Sequence, residues 1–138
     1  MKLLKLSLIS TLFFASLACA DVAVIVNAKN NTKLNDMQLK AIYLGKIKSF
    51  ENGIVATTYD LRVDDPSRKI FLSRFLHKTE ANLNAYWARM LFSSKGQPPV
   101  ELGNSQKVIE RVESEVGAIG YVNEADVTKS VRVLFVIK

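Results

Sequence analysis

The sequence predicts an α/β domain with a mixed, largely buried sheet, and three observations carry that prediction. Short apolar runs alternate with segments of helical periodicity along the chain. The first and last runs, VAVIV at residues 22–26 and VRVLFVI at 131–137, are continuous apolar stretches, the pattern of strands covered on both faces. Between them, residues 54–76 (IVATTYDLRVDDPSRKIFLSRFL) read as a strand, a polar turn and a helix, the unit from which open α/β sheets are assembled.

The elements follow in order. After the first strand, residues 27–33 form a polar loop. Asn35 with Gln38 three residues on is a capping box, and Leu39, Ile42 and Tyr43 lie on one helical face. Gly45 fits the left-handed position that ends this helix. Residues 46–53 connect it onward, with Ile47 and Phe50 packing inward. The strand at 54–59 is rich in β-branched and aromatic side chains (Val55, Thr57, Thr58, Tyr59), and a turn over 60–65 follows. Asp65 is an N-cap and Pro66 the first helical residue, where a missing N–H costs nothing. Ile70, Phe71, Arg74, Phe75 and Leu76 continue that helix.

Thr79 caps a further helix with Glu80 in its first turn and Leu83, Trp87, Met90 and Leu91 at spacings of three and four. Residues 93–103, with Gly96, Pro98, Pro99 and Gly103, read as a surface connection. Ser105 opens the last helix, with Val108, Ile109, Val112 and Val116 inward and Gly117 as its stop. A strand at 118–122 and the closing run complete the chain. About four helices result, and the first and last strands are expected side by side because chain termini are often close in space.

Residues 1–20 are set apart from the fold. Lys2 and Lys5 precede an apolar stretch, and Ala18-Cys19-Ala20 places small residues before a cleavage point, the pattern of a secretory signal peptide removed after Ala20. The apolar stretch is shorter than the ~20 residues that span a bilayer, so cleavage is expected over anchoring and no membrane span over 21–138. Lipidation at Cys19 is the less favoured reading, since Ser16 stands where a large aliphatic residue is usual. A periplasmic destination follows. With two of the 19 basic residues and none of the 13 acids in the leader, residues 21–138 carry a net charge of +4. The bases are interleaved with acids, which excludes a nucleic-acid footprint.

The single cysteine falls in the leader, so the single domain expected over 21–138 has no disulfide, no thiol nucleophile and no Cys-based metal site. His77 is the only histidine. Without a second ligand at metal spacing it supports neither a metal centre nor acid–base catalysis. No phosphate-binding loop, dinucleotide fingerprint or nucleophile elbow occurs. No cofactor and no enzymatic activity are expected.

Four segments then carry a resemblance: LKAIYLGKIKSF (39–50), SRKIF (67–71), YWARMLFSSKGQPP (86–99) and VGAIGYV (116–122). In this order they resemble the phosphate-binding subunits of bacterial ABC transporters, in particular the short, single-lobe members. The resemblance implies a type II periplasmic binding-protein fold with one lobe complete over residues 34–122. It also implies a small oxyanion as ligand, phosphate among the candidates, and a membrane transporter or another envelope protein as partner. By this likeness Ser67 and Arg68 match a Thr and an Arg of the anion-binding turn, while Asp65 and Pro66 replace a Ser and a Gly. Gly120 falls in the cleft-lining segment. A lone lobe gives a cleft with one wall, and a partner chain would have to supply the other.

The candidate ligand-binding residues are Asp60, Arg62, Asp65, Ser67, Arg68 and Gly120. Arg62 and Arg68 can clamp an oxyanion in bidentate fashion. The alternative is a helix capped by its own Asp65, with both arginines solvated or paired to Asp60 and Asp64. Two functions stay open: oxyanion binding without catalysis, or an envelope protein–protein interaction module on a binding-protein fold that has lost its ligand.

Overall fold

A computed structural model describes residues 20–138; the leader through Cys19 lies outside the described residues. Five strands form one sheet in the order β3-β2-β4-β1-β5, with β1 at Val22–Asn27, β2 at Thr57–Leu61, β3 at Val100–Leu102, β4 at Ala118–Asn123 and β5 at Val131–Ile137. Strand β1 runs antiparallel to both β4 and β5, while β2 runs parallel to β4 and to β3. The sheet is mixed, and the first and last strands are neighbours as expected.

Four helices cover it: α1 (Asp36–Tyr43), α2 (Pro66–Ile70), α3 (Glu80–Phe92) and α4 (Ser105–Ser114). The α1 capping box forms, Asn35 accepting from the Gln38 backbone and Gln38 from the Asn35 N–H. Gly45 takes φ +69 just past the helix, the left-handed conformation that glycine adopts without strain. Helix α2 continues as a π-helical stretch over Phe71–Leu76, closed by His77 in the left-handed region at φ 53.

Side chains alternate across a strand, so β4 serves two layers. Gly120 lies against Val108 of α4 on one face, and Tyr121 stacks on Phe71 on the other, ring centroids 4.0 Å apart. Tyr43 of α1 meets Phe71 edge-on at 4.8 Å, and its hydroxyl donates to the Tyr59 carbonyl. The β1 residues Val22–Val26 are wholly buried, as a continuous apolar run at a sheet centre should be.

Several local expectations are corrected. The second strand starts at Thr57, not Ile54, and runs on through Asp60 and Leu61. Val55 instead makes an isolated bridge to Ser49 and is exposed, as is Ile47. Residues 93–103 hold β3, a three-residue strand paired parallel to β2. The last helix ends at Ser114, which leaves Val116 exposed. Strand β5 forms an edge of the sheet rather than its depth: Val131 and Ile137 are buried, Leu134, Phe135 and Val136 half-buried and Val133 exposed.

Candidate functional site

In sheets with parallel strands, ligand sites form beyond the carboxyl ends of those strands. Here β2 and β3 end together, with Asp60 registered opposite Glu101. A cleft of about 370 Å³ opens there, and Asp60, Arg68, Asn84, Trp87, Pro98 and Glu101 are among its walls.

At its base sits a buried polar network. Arg68 Nε donates to Glu80 Oε1 at 2.6 Å and Nη2 to Glu80 Oε2 at 2.9 Å. Nη1 donates to the Leu61 carbonyl at 2.9 Å and stands 2.7 Å from Asp60 Oδ2. The Arg68 and Asp60 side chains are only 8% and 10% exposed, whereas Glu80 is 31% exposed and reaches in from α3. Asp60 Oδ1 accepts from the Tyr121 hydroxyl and from the Leu61 N–H.

The electrostatics follow from burial. Desolvation raises the Asp60 carboxyl above its ordinary range, with the Tyr121 hydroxyl and the Arg68 guanidinium acting against it. Tyr121 is held well above the usual phenol range by burial and by the Asp60 carboxylate. Arg68, although desolvated, is held firmly cationic by Glu80 and Asp60. One cation faces two carboxylates, so the network is acceptor-rich.

The sequence-predicted residues do not all gather at this point. Asp60 and Arg68 meet directly. Asp65 caps α2, its Oδ1 accepting from the Ser67 N–H at 2.8 Å, and Ser67 is buried beside it. Arg62 is exposed and pairs with Asp64 at 3.2 Å, apart from the Arg68 network, so the two arginines form no common clamp here. Gly120 sits under α4, where a Cβ would come within 2.4 Å of Val108 Cγ1; in this chain it makes room for a helix. Glu80, Glu101 and Tyr121 complete the site without having been singled out. Glu80 signalled only a first-turn acid, and nothing local to Tyr121 points to Asp60, 61 residues away.

No protein-family model matches the sequence, and no curated protein matches it significantly. Solved structures do. An ABC-type phosphate transport receptor from Vibrio cholerae matches 83% of this chain at 21% identity with a TM-score of 0.67. A protein from Clostridium perfringens described as a phosphate ABC transporter substrate-binding protein, solved with bound phosphate, matches 83% at 20% identity and TM-score 0.64. PstS from Borrelia burgdorferi matches 83% at 16% identity and TM-score 0.60. The aligned part covers 46%, 45% and 47% of those chains, so this chain spans less than half their length. The fold is therefore that of part of a phosphate-transport substrate-binding protein, as the four sequence segments implied.

Proposed function

We propose that this chain is an exported, non-catalytic solute-binding module of the phosphate ABC transport type, and that its ligand is a small protonated oxyanion, phosphate foremost. One observation supports this most: 83% of the chain takes the fold of phosphate-transport binding proteins, one of them holding phosphate. The cleft at the carboxyl ends of β2 and β3 is the position at which such a fold receives a ligand.

The charges narrow the ligand class. Glu80 takes Nε and one N–H of Nη2, and Nη1 faces both the Leu61 carbonyl and, at 2.7 Å, Asp60 Oδ2, so one Arg68 N–H, on Nη2, is left for an anion. Asp60 and Glu101 meet any ligand as acceptors. Sulfate brings acceptors alone and is repelled by them. Phosphate near neutral pH retains P–OH groups, which donate to a carboxylate while its remaining oxygens take the guanidinium. A membrane transporter or another envelope protein supplies the second wall. Isothermal titration tests this: heat is expected with phosphate and none with sulfate. Absence of heat for phosphate contradicts it.

A second reading is favoured by the Arg68–Glu80 fork and the Asp65 cap, which occupy groups an anion would use. In it the chain is an envelope interaction module that has lost its ligand. Flat isotherms for every oxyanion, with specific recovery of one envelope protein, select this reading over the first.

A further inference from the structure

Next to the Asp60–Arg68 cleft, with Leu91 lining both, a groove of about 510 Å³ lies between the end of α1, residues 54–58 and the end of α3. Ile42, Gly45, Ile47, Val55, Ala56 and Leu91 form much of its wall. Its rim is apolar and open to solvent: Val55 is 68% exposed, Leu91 51% and Ile47 39%. Phe92, next to Leu91 at the last turn of α3, is 96% exposed and so stands almost clear of the protein. With Leu91, Val55 and Ile47 it contributes to an exposed apolar patch, and such patches rimmed by polar residues mark interaction sites.

The charge in the groove's own lining is basic, the acids Asp60 and Glu101 lying in the adjoining cleft. Lys48 is the one charged residue in the groove's lining, Lys46 and Lys95 flank lining residues, and Arg89 lies three residues before Phe92 on α3, with Lys40 on α1 and Glu51 on the loop between Ser49 and Val55. Lys40 is engaged over the Phe75 ring. Among the described residues, Lys46, Lys48, Arg89 and Lys95 have no carboxylate within ion-pair distance. Lys46 and Lys95 directly adjoin Gly45 and Gly96 of the groove wall. A basic lining flanked by unpaired cations is complementary to an anionic partner.

We infer that this face docks on an anionic lipid bilayer surface, Phe92 and Leu91 entering the headgroup–acyl boundary while the four cations lie among lipid phosphates. Two features decide for lipid over an acidic protein. Three of the four cations are lysines, which protein interfaces deplete in favour of arginine, while lysine's mobile point charge suits a fluid layer of headgroups. The largest apolar side chain projects outward instead of lying in the groove, as an interfacial anchor does. No helix of the described residues is long and apolar enough to cross the membrane, so the contact is peripheral. The inference does not depend on the phosphate reading.

Co-sedimentation with vesicles tests it, using the purified chain without the predicted leader. Binding is expected to vesicles of equal parts phosphatidylglycerol and phosphatidylcholine, and not to phosphatidylcholine alone. A Lys46→Gln, Lys48→Gln, Lys95→Gln variant should bind at least about tenfold more weakly, each lysine contributing near the surface. Phe92→Ser should weaken binding at unchanged charge. A control with Lys33→Gln, Lys107→Gln and Lys129→Gln, all exposed and outside the groove's lining, removes the same charge and should bind as the parent does. Absence of vesicle binding overturns the inference, and retention on polyglutamate in that case assigns the face to an acidic protein. Equal losses in control and patch variants overturn it too, because binding would then follow net charge alone.

Discussion

Arg68 and Glu80 are joined by two parallel N–H···O bonds, Nε to Oε1 at 2.6 Å and Nη2 to Oε2 at 2.9 Å, so the start of α2 is fastened to the start of α3. The same guanidinium holds the end of β2 through the Leu61 carbonyl and Asp60. One side chain thus sets the floor of the cleft. Arg68→Ala leaves two carboxylates, one of them buried, facing each other without a cation. It should destabilise the fold by about 3–5 kcal/mol, the range for breaking a buried pair from one side. Arg68→Lys keeps the charge but not the fork, and should fall between the two. Urea denaturation of the three proteins checks the order; an Arg68→Ala variant as stable as the parent contradicts it.

The Asp60 carboxyl gives a pH dependence of defined sign. Its folded value lies above the ordinary 3.8, chiefly through burial, so the folded chain binds this proton more tightly than the unfolded one. Its contribution to stability is therefore greatest below the ordinary value, declines as pH rises through the raised value, and is constant above that. Asp60→Asn keeps the shape and cannot titrate. The parent should lose stability relative to this variant as pH rises through the acid range, read from denaturation midpoints at a series of pH values. A relative gain with rising pH would reverse the assignment.

Gly120 offers a test of packing against ligand contact. Gly120→Ala drives a methyl to within 2.4 Å of Val108 Cγ1, a fully buried, β-branched side chain that has no room to turn aside. A cost of about 1–3 kcal/mol is expected, as for other overpacked cores. Adding Val108→Ala should recover part of it. If the double variant is no more stable than the single one, the clash is not the cause.

The Asp65 cap has a measurable worth. Asp65→Ala removes the acceptor of the Ser67 N–H, and thermal unfolding should register about 1 kcal/mol of lost stability. Asp65→Asn keeps an acceptor and should retain most of it.

What was legible in the sequence is what is written locally. The Asn35–Gln38 box, the Asp65-Pro66 entry and the Thr79 cap each use residues within a single turn, and each forms as read. The fold class followed from the apolar runs and from the four matching segments. The missed features depend on tertiary partners. β3 is three residues long and mostly exposed, so its strand character comes from pairing with β2 and not from hydrophobic pattern. The edge position of β5 is invisible in VRVLFVI, whose apolar residues meet α2's continuation, Phe135 lying 5.8 Å from Phe75. Nothing in FLSRFL marks a π-helical turn. At the site, a glutamate 12 residues beyond Arg68 becomes its main partner because α3 folds back over α2. The local sequence leaves Arg68 open to a ligand or to Asp60, which it does pair with, and only the packing of helices supplies Glu80.

Phosphate binding is tested most directly by the melting temperature measured against rising phosphate, with sulfate as the parallel series. A ligand bound only by the folded state stabilises it by about 2.7 kcal/mol at a hundred times its dissociation constant. The melting temperature is expected to climb with phosphate and to stay level with sulfate. A flat phosphate series, or equal climbs with both anions, would contradict that expectation.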